Sequence, residues 1–366
     1  MRKVAVIPAV VLAALCTFTG CKKEEVENVI APLVSDGQTT ESTEEAQEEK
    51  DPLIPEIDTS VEIQAGSRVA VVSKSTSGEF WGLVKKGMEQ AIADVNEAYG
   101  FKKEDQVTMT FEGASDEKDV ESQVNTIDAV IAENPDVLCV SASDMDSLQA
   151  QLEAAKENGI PVVAFYSGVT DSKMVRAFRG TDNTRVGEIA AYRLATAIGK
   201  MGKVAVFSAQ EKTQSIQKRV SGFTNYITNY PDIEVVEIVY QDQVEDMTAA
   251  MQEVLDKYPQ LDGVFCDNAD IADLYLDMKK DETKDSIVMV GVDATAKQQE
   301  AIRNSKEVGV VSQQPYAMGY QTIWTALLTT APKKSVEIKR NVRIDPAWID
   351  SSNIDDPTYS SYLYAN

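Results

Sequence analysis

The sequence contains no histidine. The commonest general base and the commonest metal ligand are therefore both missing. Ser-His-Asp and Cys-His chemistry and histidine-bearing zinc sites are excluded, and no metal or cofactor is expected. Cysteine is scarce, and two of the four, Cys16 and Cys21, fall in the leader-like start of the chain. Cys139 and Cys266 remain, each within or at the end of an apolar run, Val137-Leu138-Cys139-Val140 and Val264-Phe265-Cys266. Such positions favour buried free thiols, which behave as small hydrophobes, over a disulfide. Basic residues are in deficit: 35 Lys and Arg face 59 Asp and Glu, for a net charge of -24. Nucleic-acid binding needs clustered Lys and Arg and is excluded. The same charge argues against docking the folded part on anionic headgroups. Neither Gly-x-Gly-x-x-Gly nor Gly-x-x-x-x-Gly-Lys-Ser/Thr follows a strand pattern, so dinucleotide and nucleoside-triphosphate binding have no support. No short-period repeat is present, which excludes solenoids and propellers.

What is present begins at the N-terminus. Arg2 and Lys3 precede an apolar run from Val4 to Leu15, followed by Phe18-Thr19-Gly20-Cys21. A cationic start, a short apolar core and small residues before a cut site predict a signal peptide over 1–20. The core is shorter than the roughly 20 apolar residues that a membrane-spanning helix needs. The segment resembles a bacterial lipobox, with Phe18 where Leu is usual, which implies lipidation at Cys21. Cys16 fits less well, because bulky Leu15 precedes it. A plain secretory signal with an incidental cysteine is the alternative. From Lys22 to Ala65 the chain is rich in Glu, Asp, Ser, Thr and Gln and has no aromatic residue. Such a stretch buries too little apolar area to offset its ordering entropy, so residues 21–65 read as an acidic disordered tether. The folded part then starts near Gly66 and runs about 300 residues, more than a single core usually supports.

From Arg68 onward, short β-branched runs alternate with helical periodicity. Strand-like runs occur at Val69 to Val72, Val107 to Phe111, Val137 to Val140 and Val162 to Phe165. Helical spacing links Trp81, Val84, Met88, Ile92 and Val95, then Val120, Val124, Ile127 and Ile131, then Leu148 to Lys156. The order repeats, with strands at Val204 to Phe207, Val235 to Val239, Gly263 to Cys266 and Ile287 to Val290. Helices lie near Val186 to Ile198, Ser215 to Asn229, Thr248 to Lys257 and Ile271 to Lys279. Val308 to Val311 (strand), Tyr316 to Leu328 (helix) and Val336 to Ile344 (strand) follow, then a polar tail from Asp345 that the pattern does not place. The strands are apolar rather than alternating, as in parallel sheets covered on both faces. Repeated β-α units in two blocks predict an α/β protein of two Rossmann-like lobes.

The order and spacing of several motifs carry a resemblance. They are Val72-Ser73 with Glu79-Phe80-Trp81, Asn158-Gly159-Ile160-Pro161-Val162-Val163, Gly180-Thr181-Asp182-Asn183 with Gly187, Arg219-Val220-Ser221-Gly222-Phe223, Asp267-Asn268, Val290-Gly291-Val292-Asp293 and Gln313-Gln314-Pro315. Together they resemble the type 1 periplasmic binding proteins of the ribose- and galactose-binding group, which also resemble the ligand domain of LacI-type repressors. The resemblance implies parallel-sheet lobes over 66–181 plus 314–342 and 182–313 plus 343–366, joined by a three-segment hinge. It implies ligand in the cleft, as open α/β sheets generally place it. The function implied is a non-enzymatic, lipid-anchored extracytoplasmic protein that captures a sugar or sugar-like ligand by hinge closure and delivers it to an ABC permease complex. A sensor docking on a membrane histidine kinase or chemoreceptor is the alternative. A repressor is excluded by the acidic N-terminal region, where a basic helix-turn-helix would stand.

Sugars have apolar C–H faces and a rim of hydroxyls, so a site needs aromatic faces and planar polar groups. Phe80 and Trp81 match the group's paired aromatics, although Trp81 shares the helical stripe of core residues. Asp293 matches a carboxylate that accepts from sugar hydroxyls, and also suits the cap of a helix starting at Ala294. Arg219, Asn268 (also a possible helix cap) and Gln313 match further ligand positions, and Ser141 ends the third strand, where some relatives place Asn. Tyr166 and Ser167 stand where relatives carry Asp-Arg or Asp-Ser-Gly. A phenol thus replaces a charged acceptor, which puts simple ribose in doubt. Asp242 falls near an aromatic of the second lobe, in the stretch Tyr240-Gln241-Asp242-Gln243. As a glycosidase pair, Asp242 and Asp293 lack anything that fixes their separation.

Overall fold

The computed structural model describes residues 51–279, 286–331 and 337–364. The signal-like segment, Cys21 and tether residues up to 50 lie outside the described residues. The first half forms β1 (Arg68–Ser73), α1 (Glu79–Ala98), β2 (Thr108–Gly113), α2 (Val120–Ala132), β3 (Val137–Val140), α3 (Gln149–Glu157), β4 (Val162–Phe165) and β5 (Ala177–Thr181). The second forms α4 (Asn183–Ala197), β6 (Gly202–Ser208), α5 (Gln214–Ile227), β7 (Ile233–Tyr240), α6 (Met247–Lys257), β8 (Gly263–Cys266), α7 (Ala269–Met278), β9 (Val288–Val292), α8 (Ala296–Arg303) and β10 (Gly309–Ser312). Then come α9 (Pro315–Thr329), β11 (Asn341–Ile344) and β12 (Ala347–Asp350).

Two six-stranded sheets result, ordered β11-β5-β4-β3-β1-β2 and β12-β10-β9-β8-β6-β7. The chain passes between them three times, at Asp182, at Gln313-Gln314 and at Asp345-Pro346. The two α/β lobes are those the sequence led us to expect.

The apolar strands show why period-2 alternation was absent from the sequence. In the first sheet Val69, Val71, Val137, Cys139, Val163 and Phe165 face a core shared with α1 and α9. Their neighbours Ala70, Val72, Leu138, Val140, Val162 and Ala164 face α2 and α3 on the other side. Both faces are buried, so every position is apolar. Cys139 and Cys266 are buried free thiols, one in each sheet, and burial pushes both well above the ordinary thiol pKa.

The structure differs from the expectation in four places. The second sheet carries one antiparallel edge, because β12 runs against β10; the polar-looking tail supplies buried Ala347, Trp348 and Ile349. The strand expected over 336–344 is β11, which starts at Asn341; Val336 lies outside the described residues. β5 has no apolar run to announce it: its Arg179 donates to the carbonyls of Phe178 and Lys339 at 2.8 and 2.9 Å. Finally, residues 51–65 are not free tether. Val61 and Ile63 are buried, and Leu53, Ile54 and Ile57 pack on the core of α1 and α9. Gln321 Nε2 and the Tyr99 hydroxyl hold the carbonyls of Leu53 and Val61, at 2.7 and 2.6 Å. The expectation rested on missing aromatics, but spaced aliphatics supply the apolar area instead.

Candidate functional site

The carboxyl ends of the strands in both sheets face a cleft of about 630 Å³. Its first wall is aromatic. Phe80 and Trp81 open α1 and meet edge-on at 5.1 Å, and Tyr166 lies 4.8 and 5.3 Å from them. All three line the cleft and are also part of the first lobe's core. Tyr166 follows β4 with φ 55°, a left-handed backbone that turns its ring out of the strand line. Burial pushes its phenol up, partly opposed by Arg219, so it meets a ligand as a neutral hydroxyl and ring. Lys74 Nζ and Arg219 Cζ lie 5.6 and 5.8 Å from the ring centre, within cation–π reach. Behind this wall Lys74, fully buried just past β1, pairs with Glu117 at 2.5 Å. The other Glu117 oxygen accepts from Trp81 Nε1 at 2.7 Å. Glu117 thus fixes both the lysine and the indole plane.

The second wall is polar. Arg219 reaches it because α4 and α5 touch: a Cβ on Gly187 would lie 2.0 Å from the Arg219 carbonyl oxygen, and one on Gly222 would lie 2.2 Å from that of Thr184. Only hydrogen fits at either position. The guanidinium is fully buried and donates from Nε to Asn183 Oδ1 at 2.7 Å and from Nη1 to the Asp267 carbonyl at 2.6 Å. Its Nη2 is buried with no hydrogen-bond partner among the described residues. Asn268 caps α7 through Oδ1, which accepts from the Ile271 N–H at 3.0 Å, and also lines the cleft. Asp293 follows β9 with φ 81°. Its Oδ1 accepts from Gln313 Nε2 at 2.7 Å and from the Tyr364 hydroxyl at 2.8 Å, and its Oδ2 from the Ala269 N–H at 3.0 Å. The cap of α8 is Thr295, in a capping box with Gln298, so Asp293 is not that helix's cap. Gln313 also accepts from Thr181 Oγ1 at 2.7 Å and so ties two lobe connections to Asp293.

Phe80, Trp81, Tyr166, Asn268 and Asp293 therefore line the cleft, with Arg219 and Gln313 bonded behind them. Ser141 and Ser167 are buried beyond the lining, their hydroxyls without hydrogen-bond partners among the described residues. Asp242 stands aside, accepting from the Glu211 N–H at 3.2 Å, while its neighbour Gln241 lines the cleft. The sequence reading missed Lys74, Glu117, Asn183, Gln210, Asp270 and Tyr364. Asp270 is exposed and lines the cleft on the first turn of α7. Desolvation, then the carboxylates of Glu117, Asp293 and Asp273, raise its pKa to about 6. The lobes also meet around the cleft. Thr213 Oγ1 donates to the Ser143 carbonyl at 2.5 Å, the Met145 N–H to that of Lys212 at 3.1 Å, and the Ala296 N–H to Glu79 Oε2 at 3.1 Å.

Asp267 gives the site a pH signature. It is fully buried, accepting from Ser208 Oγ and from the Ala209 N–H at 3.1 Å. Burial raises its pKa from 3.8 to about 6, against the pull of Ser208 and Arg219. A group whose pKa is higher folded than unfolded contributes stability below the unfolded value and loses it as pH rises through the folded one. Between about pH 4 and 6 this carboxyl should therefore remove up to roughly 3 kcal/mol. Asp267→Asn is expected to flatten the fall in stability across that range, measured by urea unfolding. An unchanged slope would show that another group is responsible.

Among the described residues no group of three or more His, Cys, Asp or Glu is disposed to hold a metal ion. Nor is any helix there long and apolar enough to cross a membrane.

Residues 69–331 match the family model described as periplasmic binding protein domain. The chain is 26% identical over 203 residues to the ribose import binding protein of Bacillus subtilis, covering 56% of this chain and 66% of that protein. It is 26% identical over 216 residues to the D-ribose/D-allose-binding protein of Pseudomonas aeruginosa, covering 56% and 63%. The matched chain spans just under two thirds of these relatives' length. An ABC transporter solute-binding protein from Agrobacterium vitis, solved with bound D-fucose, superposes with a TM-score of 0.73 at 28% identity, covering 81% of this chain and all of that one. A carbohydrate transporter solute-binding protein from Agrobacterium radiobacter, in complex with D-arabinose, gives 0.73 at 27%, covering 82% and 99%.

Proposed function

The chain belongs to the periplasmic binding protein family, and on that premise we propose that it is a lipid-anchored extracytoplasmic solute-binding protein for a mono- or oligosaccharide-like ligand, which it delivers to an ABC permease. The observation that supports this most is the pairing of an aromatic wall, Phe80, Trp81 and Tyr166, with a polar wall bearing Asn268 and Asp293. Ring faces cover the apolar side of a sugar, and carboxylate and amide groups take its hydroxyls. The walls belong to different lobes, so a ligand gains its full set of contacts only when the lobes close on it. The three connections act as the hinge. Gln313, bonded to Thr181 and Asp293, carries the bend at two of them to the ligand carboxylate. Closure brings one surface of both lobes into the arrangement that the permease recognises, and no bond of the ligand changes.

Thermal unfolding of the soluble part against pentoses, hexoses, disaccharides, polyols and nucleosides tests this reading. A ligand at a hundred times its Kd adds about 2.7 kcal/mol, a melting-temperature rise of about 5 °C for a protein of this size. No rise with any member would sink the sugar reading. The anchor is tested separately: radiolabelled palmitate is expected to enter the wild-type protein and not Cys21→Ala, and label retained on the variant would place the lipid elsewhere. An acyl chain at Cys21 would hold the cleft at high effective concentration beside its membrane partner.

A further inference from the structure

The segment after β12 returns to the cleft. Tyr359, Tyr362 and Leu363 pack on a small core with Ile302, Val310, Ile349 and Ile354 in the second lobe. Ser312 Oγ donates to the Tyr362 carbonyl at 2.5 Å, and the Tyr364 N–H to that of Ala294 at 3.1 Å. The Tyr364 ring then crosses over. It joins the core of the first lobe, 6.0 Å from Phe80, while its hydroxyl donates to Asp293. It is 4% exposed. A six-membered ring against Phe80 with a hydroxyl on the Asp293 carboxylate repeats the contacts that a bound sugar would make with these two residues.

We propose that Tyr364 is a specificity-determining residue that occupies the inner end of the cleft in place of a ligand ring, confining the ligand to the outer compartment between Trp81, Gln210, Asn268 and Asp270. Two observations support this. A carboxylate offers about four lone-pair sites, and those of Asp293 already take Gln313, Tyr364 and Ala269, which leaves room for a single ligand hydroxyl. In the outer compartment, Gln210 is buried with its Oε1 lacking a hydrogen-bond partner among the described residues. A buried acceptor of this kind calls for a donor, and a ligand in that compartment brings one.

The inference rests on the cleft being the ligand site, and its test separates the two. Wild type, Tyr364→Ala and Tyr364→Phe are titrated calorimetrically with matched mono-, di- and trisaccharides. In Tyr364→Ala the preference is expected to move at least tenfold toward a ligand one ring larger, and phenol, which fits the space of the lost ring, should compete with that ligand. Tyr364→Phe keeps the ring and frees one Asp293 lone pair, so affinity for hydroxyl-rich ligands should rise several-fold without a change of preferred size. A common factor across all ligands in both variants would mean that Tyr364 only supports the fold, and would overturn the proposal. Should no saccharide bind the wild type, the sugar reading fails. Tyr364 is then judged by phenol alone: stabilisation of Tyr364→Ala but not of wild type supports the ring-shaped compartment, and no stabilisation overturns it. If Tyr364→Ala does not fold, Tyr364→Phe decides by the rise or constancy of its affinities.

Discussion

Replacing Arg219 with methionine is expected to destabilise the protein by about 3–5 kcal/mol and to remove measurable ligand capture. The guanidinium is fully buried and bonded to Asn183 and to the Asp267 carbonyl. Burial alone would disfavour its charge, but Tyr166, Asp293, Asp267 and Tyr364 around it raise its pKa overall. It is therefore, with Lys74, a cation on which the buried Asp267 carboxylate depends. Methionine fills the volume and removes the charge, leaving Asp267 and Asp293 without that partner. Loss of the pull from Arg219 should drive the Asp267 pKa further above about 6. By the linkage described above, the variant should then lose least stability in acid and most above neutrality. Urea unfolding at pH 5 and pH 8 measures both. A loss under 1 kcal/mol at pH 8, or a loss independent of pH, would show that the carboxylates do not depend on the guanidinium.

Replacing Asp293 with alanine is the second large effect. Three donors converge on this carboxylate, from Gln313, Tyr364 and Ala269. Hydrogen bonds to charged groups contribute about 1.5–3 kcal/mol each; because the three share one side chain, a total near 4 kcal/mol is expected rather than their sum. The backbone adds a separate term. At φ 81° an L-residue is strained by about 1–2 kcal/mol, and short polar side chains tolerate this conformation better than alanine. Asp293→Gly should therefore be about 1 kcal/mol more stable than Asp293→Ala, although it loses the same three bonds. Both should weaken ligand binding more than a hundredfold, because the carboxylate and the Gln313 link to the hinge go together. Unaltered affinity in Asp293→Gly for a ligand found in the thermal screen would remove Asp293 from the site.

The sequence was readable wherever one residue type answers to one local demand. Val69 to Val72 and Val162 to Phe165 announce strands because both faces of the first sheet are covered. Phe80, Asn268 and Asp293 could be nominated because the motifs that carry them resemble those of the ribose- and galactose-binding group, in which the residues beyond the strand ends hold ligand. Charge and the missing histidine narrowed the chemistry without any coordinates. Other features left no local trace. β5 lacks an apolar run and carries Arg179, whose guanidinium bonds the Phe178 and Lys339 carbonyls beside the edge strand β11. Residues 53–63 look like tether because their aliphatics are spaced for a groove formed by two helices far apart in sequence. Lys74 and Glu117 are ordinary surface residue types, and only the closeness of β1 and the loop after β2 joins them, with the lysine fully buried.

By itself, then, the sequence determined the two α/β lobes, which follow from periodicity and side-chain type, while its motif resemblance pointed to binding rather than catalysis and to the strand ends that would face a ligand. Tertiary structure alone decided how the site is shared out: which Asp293 oxygen serves the hinge and which serves α7, and that a tyrosine from the unplaced tail bonds the same carboxylate. Those contacts join residues up to 71 positions apart. Long-range pairing of this kind depends on how two sheets and a returning segment pack in space, and no periodicity along the chain encodes it.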